Sequence, residues 1–172
     1  MYKILKSIDI DFAHHIRGHQ GACINIHGHT WKFEVGVQAK ELNEDGFVVD
    51  FSKLKKSVLM PCHQLLDHAL AIGETSISEI GEFLSPMGEK LVATRADAKP
   101  TPDNWEFHGA KGVYPGGMKV AVFPFSPTSE KLARWLYDAA SAELADDRVQ
   151  ISFARIYETL HPVQAVAEYW PE

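Results

Sequence analysis

The chain has 172 residues, 45% hydrophobic and 23% charged, a balance that suits one soluble globular domain and excludes an intrinsically disordered chain. Lys and Arg number 17 against 23 Asp and Glu, a net charge of −6 with no basic block; this argues against sequence-independent nucleic-acid binding and leaves room for a small anionic ligand. No apolar run approaches the ~18 residues of a membrane-spanning helix. Residues 1–9 lack the features of a secretory leader, and two cysteines are too few for a disulfide framework. A cytoplasmic enzyme or binding protein, with neither membrane nor nucleic acid as partner, is the expectation.

Residues 2–14 put Ile4, Ile8, Ile10, Phe12 and His14 on even positions, the period of a half-buried strand. Residues 15–26 hold two glycines and no period, and read as a long loop. From His27 the alternation resumes on odd positions through His29, Trp31, Phe33, Val35 and Val37. Asn43-Glu44-Asp45-Gly46 is a turn. Asp50 is a candidate N-cap for a helix carrying Phe51, Leu54 and Val58. Pro61 is expected to end or kink that helix, with a further turn or two through Leu65, Leu66, Asp67 and His68.

Residues 71–125 carry Pro86, Pro100, Pro102, Pro115, Pro124 and the Gly116-Gly117 pair, with a short strand expected from Lys119 to Phe125. A structureless loop of this length is uncommon inside a compact domain, so the stretch reads as a folded insertion or a functional cover. Ser126-Pro127 reads as N-cap and first residue of a second helix bearing Leu132, Trp135, Leu136 and Ala139. Strands over 149–159 and 163–170 close the chain, joined at Leu160-His161-Pro162. The order strand, strand, helix, helix, strand, strand predicts an α+β domain, an antiparallel sheet with helices on one face.

Nine histidines are the compositional oddity, and five of them lie between residues 14 and 29. Side chains at i and i+2 of a strand share a face, so His27 and His29 converge, with Gly28 crowding neither. If the first two strands pair antiparallel across the 15–26 loop, His14 joins them. Three neutral imidazoles with a fourth position open make a catalytic zinc site. A lone histidine on an apolar face is more often a satisfied core residue; three on converging faces favour metal. His15, on the opposite parity, is expected to face solvent.

Cys23, in the glycine-containing loop, either closes a structural His3Cys site or stands beside the metal as a thiolate base or nucleophile. Cys62, near Pro61, reads as a small buried apolar residue. Asp67-His68 is an acid–imidazole pair whose direct contact requires the helix to end there. Glu158 lies on the even face of its strand with Ala154 and Ile156, where a carboxylate needs a partner; a guanidine-like ligand edge or an arginine such as Arg155 would serve.

The ordered series Ile10-Asp11-Phe12-Ala13-His14-His15-Ile16, Cys23-x3-His27-Gly28-His29, Gly46-Phe47-Val48-Val49-Asp50-Phe51-Ser52-Lys53-Leu54-Lys55, Leu66-Asp67-His68, Pro127-Thr128-Ser129-Glu130 and Glu158-Thr159 resembles the 6-pyruvoyl-tetrahydropterin synthase superfamily. The short spacing between Cys23 and His27 is similar to its 6-carboxy-5,6,7,8-tetrahydropterin synthase branch; the pyruvoyl branch more often has a longer one. The resemblance covers about residues 2–70 and 126–170.

It implies the tunnelling fold, a four-stranded antiparallel sheet with two helices on one face, here one domain over 1–172 with an insertion at about 73–125. It implies homo-oligomers built on trimers, commonly paired into hexamers, with active sites between subunits. By position, His14, His27 and His29 would hold zinc, Cys23 would be the general base, and Asp67 and His68 would complete a proton relay. Glu158 would anchor the pterin's amino-pyrimidinone edge, with Thr128 and Ser129 lining the pocket. The implied reaction converts 7,8-dihydroneopterin triphosphate to 6-carboxytetrahydropterin, acetaldehyde and triphosphate, on the route to queuosine and other 7-deazapurines.

Two departures stand out: Lys131 replaces the family's usual Asn, and the insertion has no counterpart in short members. The insertion is expected to fold over the active-site mouth or decorate the outside of an assembly. Rival readings are a 6-pyruvoyl-tetrahydropterin synthase, a non-catalytic module with a cysteine-closed zinc site, and a cupin. The cupin is disfavoured because Glu34, its next ligand, has the wrong parity.

Overall fold

A computed structural model of the chain describes residues 1–77, 79, 90–96 and 117–172. Two long strands, β1 (Tyr2–His14) and β2 (His27–Ala39), pair antiparallel in unbroken register from Tyr2↔Ala39 to His14↔His27. The loop between them contains one 3-10 turn, Ala22–Ile24. The even residues of β1 and the odd residues of β2 share the buried face, as their alternation requires.

Asp50 caps the next helix, its carboxylate accepting from the Ser52 N–H at 2.6 Å. Pro61 neither ends nor sharply interrupts this helix. α1 (Phe51–Leu54) widens into a π-helical stretch (Lys55–Leu59) that runs directly into α2 (Met60–Leu66), with Pro61 in its first turn. A proline lacks the N–H for the carbonyl four residues back and crowds it; the Met60 N–H reaches Lys55 instead, so the backbone is already wide where the ring arrives.

β3 (Leu70–Gly73), β4 (Lys90–Arg95) and β5 (Gly117–Phe123) follow, and then α3 (Ser129–Leu144), β6 (Val149–Thr159) and β7 (Ala165–Tyr169). The sheet order is β4-β5-β3-β1-β2-β6-β7. The expected antiparallel set β1-β2-β6-β7 is therefore present, and three strands in mutually parallel register extend it from the β1 side. Only β5 among these was foreshadowed, by Lys119 to Phe125. Pro86, Pro100, Pro102, Pro115 and Gly116 lie outside the described residues.

The second helix starts later than expected. Thr128, not Ser126, is its N-cap: Thr128 has extended backbone and its hydroxyl accepts from the Lys131 N–H. That cap uses the backbone of Lys131, so the departure from Asn at this position leaves it intact.

A bulge opposite Gly36 and Val37 leaves Ser152 as the extra residue of β6. Val149 and Ile151 before it, and Ala154 and Ile156 after it, can then all face the core. Leu54, Leu59, Leu66, Leu132 and Leu136 cover this face from the helices, and all are fully buried. Trp31 lies at its centre, stacked on Phe12 at 4.5 Å, with its indole N–H donating to the Phe12 carbonyl at 3.1 Å. Replacing Trp31 by Phe keeps a ring and leaves that buried carbonyl without the donor. The variant is expected to lose about 1–3 kcal/mol of unfolding free energy, measured by urea titration.

Candidate metal centre

His14 and His27 face each other at the end of the β1-β2 ladder, and His29 is paired with Phe12 two residues in. The three imidazoles gather at one point with their ring centroids 4.5–5.6 Å apart. Trp31 forms the floor, edge-on to His14 and His29. The Glu158 carboxylate arrives from β6. One ligand atom from each of His14, His27, His29 and Glu158 lies within 4.8 Å of every other.

The hydrogen bonds behind the rings determine what faces the centre. His14 Nδ1 donates to the Pro127 carbonyl at 3.1 Å, and His27 Nδ1 to the Asn25 carbonyl at 2.9 Å. A carbonyl can only accept, so both Nδ1 atoms carry the proton and both Nε2 atoms of the neutral rings present lone pairs. These Nε2 atoms are 3.0 Å apart. Two lone pairs at that separation repel unless a cation lies between them or one ring is protonated. Burial holds the His14 pKa below the ordinary imidazole range, and the neighbouring His27 and His29 reinforce this against the Pro127 bond and the Glu158 charge. Burial lowers that of His29 as well.

His29 Nε2 is buried without a hydrogen-bond partner, 3.8 Å from Glu158 Oε1, which is itself 3.4 Å from His14 Nε2. Acceptors thus converge on one space. Ligands on a tetrahedral ion with bonds of ~2.0–2.1 Å lie roughly 3.3 Å apart, close to the 3.0 and 3.4 Å found here. The donor set fits a borderline-soft divalent cation such as zinc.

Glu158 Oε2 accepts from the Ser129 hydroxyl at 2.7 Å, and Ser129 is the first residue of α3 after the Thr128 cap. Arg155 is not its partner; it points from the other parity of β6 to Glu34 and Glu168. Cys23 sits half-buried in the 3-10 turn, outside the converging group, so the fourth group beside the imidazoles is a carboxylate and not a thiol. Cys62 is fully buried, and burial pushes its thiol far up, as a core residue requires. His15, expected to face solvent, is half-buried, and its N–H reaches the Ala71 carbonyl.

Asp67 and His68 lie elsewhere. The chain leaves α2 through a tight turn closed by the Ala69 N–H on the Leu66 carbonyl at 2.8 Å, and His68 occupies its third position with φ 59°. This is where a type II turn calls for glycine. The helix end lets the two side chains meet, with His68 Nδ1 2.9 Å from Asp67 Oδ2, and His63 Nε2 stands 3.8 Å from Oδ1. The His68 N–H is held by the Asp11 carbonyl of β1. No hydrogen bond or ion pair among the described residues joins this pair to Cys23 or to the histidine cluster.

The model of the 6-pyruvoyl tetrahydropterin synthase family matches residues 3–172. The chain belongs to that family. A curated relative from Haemophilus influenzae, named 6-carboxy-5,6,7,8-tetrahydropterin synthase, is 28% identical over 92% of this chain and 94% of its own length. One of the same name from Rickettsia bellii is 32% identical over 67% of this chain and 82% of its own. Among solved structures, an uncharacterized protein of Wolinella succinogenes superposes with a TM-score of 0.69 at 20% identity, covering 99% of this chain and 98% of that one. A 6-pyruvoyltetrahydropterin synthase of Plasmodium vivax gives 0.58 at 16%, with the same coverage. The fold is accordingly the tunnelling fold of the pterin synthases, α+β as expected, carrying additional strands.

In this family member the groups that orient the imidazoles, the carbonyls of Asn25 and Pro127, escaped sequence reasoning because every residue has a carbonyl and only the fold selects one. The left-handed backbone of His68 was equally hidden. A non-glycine residue there is strained by about 1 kcal/mol. His68→Gly is therefore expected to unfold at the same or higher denaturant concentration than the parent, whereas His68→Ala, which keeps the Cβ, is not stabilised.

Proposed function

We propose that the protein is a zinc-dependent 6-carboxy-5,6,7,8-tetrahydropterin synthase, a lyase that takes 7,8-dihydroneopterin triphosphate and one water to 6-carboxytetrahydropterin, acetaldehyde and triphosphate. The observation that carries this reading is the convergence of the lone-pair nitrogens of His14 and His27 with His29 Nε2 beside a carboxylate, in a member of this family whose relatives quoted above bear that name. Two free cysteines accord with a reducing, cytoplasmic setting.

His14, His27 and His29 would be the zinc ligands. When bound, the ion supplies a Lewis acid that lowers the pKa of substrate hydroxyls. Cys23, four residues before His27 and outside the ligand group, is free to act as a base on the substrate's carbon-bound proton. The Asp67 carboxylate orients His68, so that the imidazole can return a proton to the ring on the other side. Glu158 accepts from the pterin's 2-amino-pyrimidinone edge. Each carboxylate oxygen has two lone pairs, so the bond from Ser129 leaves both oxygens able to receive a ligand donor. Thr128 fixes the start of α3 and with it the position of Ser129.

Among the described residues no hydrogen bond or ion pair joins Cys23 to the Asp67-His68 pair, which supports a site shared between subunits of a homo-oligomer. The open edges suit such an assembly. β7 is the last strand of the sheet, and β3 pairs with β1 only at Ala13 and His14 among the described residues. Tyr2, Leu5, Val166 and Trp170 on these two strands and beside them are exposed apolar side chains. The unit of assembly we propose is a trimer, closing its sheets into a barrel.

The decisive measurement incubates zinc-loaded protein with dihydroneopterin triphosphate and identifies the products by mass. Acetaldehyde with a carboxylated pterin is expected; a pyruvoyl product, or no consumption, would overturn the reading. Cys23→Ala is expected to keep full zinc content while kcat falls about 100- to 10,000-fold; loss of zinc would make the thiol a ligand. Glu158→Gln is expected to keep zinc and raise KM about 10- to 100-fold, the equivalent of one charged hydrogen bond. A parallel fall in zinc content would make Glu158 a ligand and not an anchor.

A further inference from the structure

Among the described residues, a side chain of β5 reaches the Asp67-His68 turn, which leads directly into β3. Lys119, on β5, is half-buried, and its ammonium donates to the carbonyls of Gln64 at 2.9 Å and Asp67 at 2.5 Å. The last carbonyls of a helix have no partner within it and carry partial negative charge. At the end of α2 the His63 carbonyl takes the Asp67 N–H and the Leu66 carbonyl takes the Ala69 N–H. Lys119 takes the Gln64 and Asp67 carbonyls, and so ties the last turn of the helix to the turn that follows it.

The same strand is indexed to the metal centre. His14 pairs with Ala71 of β3, and Ala71 pairs with Ala121 of β5, so the three lie in one row across the sheet. Lys119 is two residues from Ala121 along that strand. Through Lys119 the β5 register adds a second tie between the Asp67 backbone and the strand of His14, beside the direct bond of the His68 N–H to the Asp11 carbonyl. The turn needs such support, because His68 sits at φ 59° with its side chain 81% exposed. A strained, exposed histidine holds its place only where the surrounding backbone is over-determined.

We propose that Lys119 is a positioning residue for the reaction: it locks the Asp67-His68 turn so that the imidazole presents its proton at a defined place. The role rests on the functional reading above. It also gives the added strands a purpose, as a strut between the metal-bearing strand and the acid–imidazole pair.

The test uses full-length, zinc-loaded Lys119→Met and Lys119→Arg, read by backbone amide exchange, zinc content and steady-state kinetics. For K119M the His68 and Ala69 amides are expected to exchange faster while those of β2 do not. Its kcat is expected to fall about 10- to 100-fold, the range that misplacement of a reacting group by about 1 Å produces, with KM and zinc content unchanged. K119R, which keeps charge and donors, is expected to recover most of both losses. A K119M enzyme with parental kcat, or one whose exchange rises evenly over the whole sheet, would overturn the proposal. If the parent does not consume the pterin triphosphate, the functional reading fails, yet the exchange of the two amides still decides whether Lys119 holds the turn. Should K119M not accumulate as folded protein, Lys119→Gln is read in the same way.

Discussion

Two imidazole nitrogens approach to 3.0 Å with lone pairs facing, because the opposite nitrogen of each ring is committed to a backbone carbonyl. Imidazole tautomers are set by such second contacts, and a metal-ligating histidine normally donates its other N–H to an oxygen. Here the oxygens are main-chain atoms of Pro127 and Asn25, so the chemistry of the centre depends on the path of the backbone before α3 and before β2. A side-chain acceptor could rotate away; these cannot without moving an element of the fold. The Glu158 carboxylate stands 3.4 Å from His14 Nε2 and 3.8 Å from His29 Nε2, so the donor atoms of this centre suit a cation.

That arrangement holds only in one strand register. The β1-β2 ladder pairs every residue from Tyr2↔Ala39 to His14↔His27, and slipping it by one residue would turn His27 and His29 away from the core. The apolar residues enforce the register: Phe12 and Trp31 stack, Phe33 meets Phe12 edge-on, and both aromatic side chains of β2 are fully buried. The bulge at Ser152 extends the same logic to β6. It switches the parity of the buried residues, so Glu158, two beyond Ile156, comes to the imidazole side while Arg155 goes to the other. Packing that stabilises the sheet and packing that assembles the ligands are the same contacts.

What was legible in the residues follows from this. Parity on two strands brought His14, His27 and His29 to one face, and the even position of Glu158 placed it with Ile156, because side-chain direction in a strand depends on counting alone. Asp50 was legible as a cap because a carboxylate ahead of a helical stripe has a local partner in Ser52. The start of α3 was misjudged because Ser126 and Thr128 can both cap, and a long-range bond from His14 to the Pro127 carbonyl pins the backbone between them. Pro61 was misread because the adjustment that tolerates it, a π-helical turn, lies upstream in residues with no signature of their own. The parallel strand β3 left no alternation to read, since it is buried at every position.

The Asp67-His68 pair shows a different side of the same economy of contacts. Its turn carries a non-glycine residue at positive φ, is held by the Asp11 carbonyl on one side and Lys119 on the other, and exposes the imidazole. A residue selected for stability alone at this position would be glycine, because glycine reaches this conformation at no steric cost. A histidine at this position keeps a side chain that contacts Asp67, which glycine could not supply. Among the described residues it has no hydrogen bond to Cys23, and it lies beside the part of β1 that lacks an in-chain strand neighbour on that side. An edge of that kind is a place for another strand, and a second subunit docking there would meet an imidazole already oriented by its carboxylate. The strain at His68 and the open edge of β1 thus both suit the proposed assembly, in which each chain would present part of the site at its border.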